Sequence, residues 1–187
     1  MSGARRAGSV KRSIVLIGMM GAGKSAVGAE LGRRLGVPVR DTDTEIQAAA
    51  AATIPEIFAR DGEEFFRARE SEVLARVLRG PPGVVSTGGG AWMRPENRAL
   101  VAGAGVSVWL DCKLSTLWRR VKQKPTRPLL QTPDPRGTLE RLLAERAPVY
   151  ALADVTVAVQ DSDSVEATAT RVLDALRAHR PDILEPA

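Results

Sequence analysis

Short apolar runs alternate with stretches of helical periodicity along most of the chain. Residues 13–17 (SIVLI) are a β-branched run that stops at a glycine, the pattern of a strand buried on both faces. Val27, Leu31 and Leu35 then recur at helical spacing, so residues 25–35 predict the first helix, closed by Gly36. Residues 37–41 read as a second short strand. Helical stretches follow near 42–51 and 55–78, the latter broken at Asp61-Gly62, and residues 80–83 form a loop. Strands three, four and five fall at 84–87, 106–110 and 155–159, with helices at 95–102, 114–122 and 138–152. The last helix, 164–179, carries Val165, Ala169, Val172 and Leu176 on one face. Residues 123–137 hold four prolines and few apolar positions, so they predict a long mobile loop outside the core.

Repeated strand–helix–strand units imply an α/β fold: a five-stranded parallel sheet, flanked by helices in three layers, with right-handed crossovers. At 187 residues and 44% hydrophobic, the chain suits one domain, placed at 13–180 with a lid at about 120–137. Residues 1–12 are basic and rich in Gly, Ser and Ala, and residues 181–187 are polar and proline-containing; both read as disordered tails.

Composition narrows the chemistry mostly by exclusion. One cysteine, Cys112, rules out an intrachain disulfide framework, and the lone His179 leaves no Cys/His cluster with zinc-ligand spacing. That usage suits a reducing, cytoplasmic compartment. No apolar run approaches the roughly 20 residues of a membrane span. The net charge of +5 raises the question of a nucleic-acid partner, but aromatics are only 4% of the chain and no recognition module accompanies the charge. Much of the excess lies in the first residues and in an arginine-dense stretch at 119–146, which suits a small polyanion.

Residues 18–25 (GMMGAGKS) match G-x-x-x-x-G-K-[ST] between a predicted strand and a predicted helix, the context that phosphate cradle requires. Glycines let backbone N–H groups point inward, and the helix N-terminus adds positive potential. Lys24 can then bridge the outer phosphates and Ser25 can ligate Mg²⁺. Gly21, Ala22, Gly23, Lys24, Ser25 and Ala26 are therefore the candidate ATP-binding segment of a P-loop NTPase fold. Asp41 and Asp43 follow strand two, where open α/β sheets place ligand-binding loops. One carboxylate there can hold a water of the metal shell and another can deprotonate an acceptor hydroxyl. Equally, Asp41, Thr42 or Asp43 with Glu45 can simply cap a helix.

Beyond these motifs the chain resembles the shikimate kinase family over about residues 13–179. The resemblance is carried in order by the phosphate loop with Met20, by Asp41-x-Asp43, and by Gly62-Glu63-x-x-Phe66-Arg67-x-x-Glu70. Gly88-Gly89-Gly90, Arg127-Pro128-Leu129 and Arg146-x-x-x-Tyr150 complete it. It implies that Asp43 contacts the ring hydroxyls and is the base, that Asp41 serves the metal shell through water, and that Arg67 and Arg146 grip the acceptor carboxylate. Gly89 and Gly90 would offer backbone contacts, Phe58 and Phe66 a pocket wall, and Glu70 a hold on Arg67. Arg120 would stack on adenine and Arg127 would reach the phosphates from the lid.

Paired planar guanidinium groups are what a carboxylate on a small polar ring needs. Taken without the other motifs, Arg67 with Glu70 reads as a solvated surface ion pair, the usual meaning of that spacing, and the glycine triplet reads equally as a plain turn. Arg119, Arg136 and Arg141 read as solubility charges. The implied activity is Mg²⁺-dependent transfer of the γ-phosphoryl group of ATP to the 3-hydroxyl of shikimate, by a monomer with no nucleic-acid or membrane partner. Rival readings are a gluconate or nucleoside-monophosphate kinase, and a nucleotide-binding switch. One departure stands out: where relatives often carry a glycine in the turn before the Ile57-Phe58 stretch, this chain has Ala51.

Overall fold

The computed structural model describes residues 10–124 and 127–184. Five parallel strands, β1 (Ser13–Ile17), β2 (Val39–Asp41), β3 (Val84–Ser86), β4 (Gly105–Cys112) and β5 (Val155–Val159), lie in the order β2-β3-β1-β4-β5. Every residue of β1 is buried, as its uninterrupted apolar run requires of a central parallel strand. β5, at the edge, alternates buried and exposed positions instead. Helices α1 (Lys24–Leu35), α2 (Thr42–Ala50), α3 (Ile54–Leu78), α4 (Pro95–Ala104), α5 (Leu114–Val121), α6 (Pro135–Tyr150) and α7 (Val165–His179) flank the sheet. α1 and α7 pack on one another and on β3 and β5, while α4 packs on β4 and on α3.

Because β3 lies between β2 and β1, the chain leaves β1, crosses to the edge and returns. The segments after the carboxyl ends of β1, β2 and β3 therefore gather at one end of the sheet, around the crevice where such folds bind ligands. Those segments carry the phosphate loop, Asp41 to Asp43, and the glycine triplet.

Local chemistry explains most element ends. Thr53 and Glu56 form a reciprocal capping box at the start of α3, and Gly62, at φ 85° and ψ 171°, kinks that helix where the sequence predicts a break. α6 begins earlier than its periodicity predicts, because Asp134 caps it by accepting from Gly137 N–H and Pro135 suits the first turn. The proline-rich stretch is also not wholly outside the core: Pro128–Leu130 forms a 3₁₀ turn whose Leu129 and Leu130 pack against it.

Both ends depart from the expectation of disordered tails. Val10 is buried and bridges Leu184 antiparallel, Lys11 N–H donates to the Ile183 carbonyl, and Ile183 is wholly buried. Two isolated apolar residues thus close the base of the core. The remainder of both predicted tails, and positions 125–126 of the lid, lie outside the described residues.

Candidate active site

The phosphate loop owes its shape to backbone conformations that only glycine adopts freely. Gly18, Gly21 and Gly23 have φ of 141°, 84° and 95°. α1 starts at Gly23 with no side-chain cap, which leaves its first N–H groups and their positive potential directed at the loop. Lys24 folds back and donates from Nζ to the carbonyls of Gly18 (2.8 Å) and Met19 (2.9 Å). Burial lowers its pKa from 10.5 to about 8, against the opposing pull of Asp43.

Asp41 holds two jobs at once. Its Oδ1 caps α2 by accepting from Asp43 N–H (3.0 Å) and Thr44 N–H (3.2 Å), while its Oδ2 accepts from Ser25 Oγ at 2.5 Å. The same carboxylate therefore both caps the helix and reaches the phosphate loop. The Ser25 hydroxyl and Asp41 Oδ2 are hard oxygen donors beside the phosphate loop, a set that fits Mg²⁺. Among the described residues no cluster of three or more His, Cys, Asp or Glu could hold a metal unaided.

Two adjoining cavities open here. The first, of about 700 Å³, is lined by the phosphate loop, Arg119, Arg120, Asp163 and Thr168. Arg120 Nη1 donates to the Gly21 carbonyl at 3.0 Å, tying α5 to the loop. Arg119 lines the same cavity, with its guanidinium exposed beside Asp161. The contribution of the segment before α7 goes unseen in the sequence, because nothing local in Asp163 or Ser164 signals a ligand.

The second cavity, about 490 Å³, is walled by Phe58, Phe66, Arg67, Glu70, the glycine triplet, Leu129 and Arg146. Met20, Asp43, Gly88, Gly89, Lys124 and Arg127 line both cavities, so they mark the junction. Lys124 is the one cation there that the sequence reading omits.

Arg67 donates from Nη1 to both oxygens of Glu70, at 3.0 and 3.1 Å, and Glu70 is 0% exposed. The pair is therefore no solvated surface bridge. Glu70 keeps a raised pKa because burial outweighs the Arg67 charge, and Asp43 is raised by burial first and by Asp41 next. Asp43 Oδ1 and Arg146 Nη1 are buried and have no hydrogen-bond partner. An unpaired acceptor and an unpaired donor thus lie on residues that line one cavity.

The triplet's glycines differ from those of the phosphate loop, since none has a positive φ. They are needed for space. A Cβ on Gly88 would stand 2.9 Å from Asp43 Oδ1 and from Glu70 Oε2, one on Gly89 3.2 Å from Arg146 Nη1, and one on Gly90 would collide with the Arg67 guanidinium.

Comparison with known proteins points to one family. The shikimate kinase family pattern matches residues 20–177. The chain is 58% identical to the shikimate kinase of Cereibacter sphaeroides over 176 residues, 94% of this chain and 87% of that one. It is 53% identical to that of Ruegeria pomeroyi over 179 residues, 96% and 91% of the two chains. Shikimate kinase from Acinetobacter baumannii in complex with shikimate superposes with a TM-score of 0.87 at 35% identity, covering 90% of this chain and 94% of that chain. A gluconokinase from Sinorhizobium meliloti shares the fold at 21% identity and a TM-score of 0.57, over 92% of this chain and 96% of the other. By the match along residues 20–177 and the identity to these relatives, the chain belongs to the shikimate kinase family.

Proposed function

We propose that this protein phosphorylates the 3-hydroxyl of shikimate with ATP, releasing ADP and shikimate 3-phosphate. The observation that carries this reading is the small cavity beside the phosphate loop, whose lining brings Asp43, Arg67 and Arg146 together. A ring bearing hydroxyls and a carboxylate matches one carboxylate and two guanidinium groups.

ATP occupies the first cavity, its phosphates against the N–H groups of residues 21–26 and its base towards Arg120. Lys24 exchanges the carbonyls of Gly18 and Met19 for phosphate oxygens, a move that restores its full charge against the effect of burial. In the second cavity Arg67, braced by Glu70, and Arg146 take the carboxylate, with Gly89 and Gly90 alongside. Asp43 sits at the junction of the two cavities and accepts the 3-hydroxyl proton as that oxygen bonds to the γ-phosphorus. The bond to the bridging oxygen breaks and ADP leaves. Burial raises the pKa of Asp43, which makes it a stronger base than an exposed carboxylate. Arg127, lining both cavities, stabilises charge on the transferring group.

Ser25 directly, and Asp41 through water, would hold Mg²⁺ together with the phosphates. When bound, the ion neutralises phosphate charge. Among the described residues no helix is long and apolar enough to cross a membrane.

The deciding experiment compares ADP release from Mg-ATP with shikimate, gluconate, AMP or CMP as acceptor, and with none. Turnover with shikimate should exceed every other case by orders of magnitude. A preference for gluconate, or hydrolysis independent of acceptor, would leave the nucleotide cavity as read and overturn the roles of Asp43, Arg67 and Arg146.

A further inference from the structure

The segment 88–93 that backs the acceptor cavity has each of its carbonyls engaged. Gly88 accepts from Ala91 N–H at 3.2 Å and Gly90 from Met93 N–H at 3.1 Å. From α4, Asn97 Nδ2 donates to Ala91 (2.8 Å), and Arg98 Nη1 to Trp92 (2.8 Å) and Met93 (3.0 Å). The Gly89 carbonyl is held from a different helix: Tyr150, at the end of α6, donates its hydroxyl to it at 2.5 Å. Trp92 Nε1 makes a second tie to α6, donating to the Val149 carbonyl at 2.9 Å.

Tyr150 is 0% exposed, and its ring centroid lies 5.8 Å from that of Trp109. Met19 Sδ of the phosphate loop is 3.7 Å from the same hydroxyl. A phenol has one proton to give, and the nearer carbonyl takes it, so the sulfur only packs.

In a trans peptide the C=O and the following N–H point in opposite directions. Fixing the Gly89 carbonyl on Tyr150 therefore fixes the direction of the Gly90 N–H, which makes no hydrogen bond among the described residues. Accepting a bond also polarises that peptide and strengthens the N–H as a donor. Gly90 lines the acceptor cavity, and Arg146, with its free Nη1, lies one helical turn before Tyr150.

We propose that Tyr150 is a positioning residue for the acceptor: by holding the Gly89 carbonyl, it aims the Gly90 N–H and keeps it in fixed relation to Arg146. This rests on the assignment of the second cavity to the acceptor. Tyr150→Phe removes only the hydroxyl, while the α4 anchors preserve the rest of the segment. KM for shikimate should rise about tenfold with KM for ATP within about twofold, as losing one well-aligned bond implies. Trp92→Phe should act in the same direction and less. A merely structural role would lower the melting temperature and both affinities together.

Amide exchange gives a readout that needs no turnover. In Tyr150→Phe the Ala91 N–H should exchange about 5–10-fold faster, with β1 and α4 unchanged. Where wild-type protein turns over shikimate, an unchanged shikimate KM, or equal loss for ATP and shikimate, overturns the proposal. Should wild-type protein fail with shikimate, the proposed function falls, and unchanged Ala91 exchange then overturns the positioning role separately.

Discussion

The two glycine-rich segments at the mouth of the sheet use glycine for different reasons. In the phosphate loop Gly18, Gly21 and Gly23 supply positive φ, so that backbone N–H groups form the binding surface. In the triplet no φ is positive, and the missing side chains make room for Asp43, Glu70, Arg67 and Arg146 to close around a ligand. The phosphate loop is mainly backbone and contiguous in sequence, although the rest of its cavity draws on α5 and α7. The acceptor cavity is made of side chains drawn from α2, α3 and α6. A local motif thus suffices for a phosphate cradle, whereas the second cavity depends on the packing of the whole fold.

That contrast predicts separable losses. Lys24→Met should lower kcat by about 10²–10³-fold and weaken ATP, leaving shikimate binding to the free enzyme intact. Asp43→Asn should lower kcat by about 10²–10⁴-fold with ATP affinity retained. Isothermal titration of each ligand beside steady-state kinetics separates the two. If Asp43→Asn weakened ATP as strongly as Lys24→Met, the two cavities would not be independent.

Arg67→Ala tests how far the acceptor side depends on packing. It should raise KM for shikimate about 10–100-fold and leave ATP almost unaffected. It also strands the buried Glu70, which should cost about 3–5 kcal/mol of stability. Adding Glu70→Gln removes the stranded charge, so the melting temperature should recover while the shikimate KM stays high. Recovery of both would show that Arg67 supports the helix and does not touch the acceptor.

The same contrast governs what the sequence reveals. The phosphate loop needs only eight consecutive residues, and their order between a strand and a helix is visible without coordinates. Arg67 and Arg146 are 79 positions apart (146 − 67), and only their place in a family pattern joins them. Asp163 and Thr168 are missed as lining of the nucleotide cavity because they reach it only through the β4–β5 pairing. Val10 and Ile183 are missed for a related reason: a single apolar residue has no period, and its partner lies at the other end of the chain.

pH should also divide the cavities. Lys24 titrates near pH 8 in the free protein, because burial opposes its charge, and phosphate binding favours the charged form. Above that pH each nucleotide bound must take up a proton, so the Kd for ATP should rise by up to about tenfold per pH unit. Arginine-based shikimate binding should stay flat over the same range. On the acid side kcat should fall as Asp43 protonates, at a pH above that of an ordinary aspartate since its pKa is raised. An ATP affinity that does not change between about pH 7 and 10 would remove Lys24 from the phosphate contact.

The smallest expected effect concerns the one place where the acceptor side lacks a glycine that its backbone favours. Among the described residues every positive φ belongs to glycine except that of Ala51, at 46°, which ends α2 in the left-handed conformation. Its N–H still closes the helix, on the carbonyls of Ala48 and Gln47. A left-handed alanine costs about 1–2 kcal/mol, while glycine would add back about 0.4–1 kcal/mol of chain entropy in the unfolded state. Ala51→Gly should therefore stabilise the protein by about 0.5–1 kcal/mol, a rise of roughly 1–4 °C in melting temperature for a chain of this size. Ala51 itself lines neither cavity, so kcat and both KM values should not move. A lower melting temperature would mean that the strain at Ala51 is already relieved by its surroundings. A changed shikimate KM at equal stability would mean that the α2–α3 turn sets the spacing between Asp43 and Arg67, making acceptor recognition depend on a residue that touches no ligand.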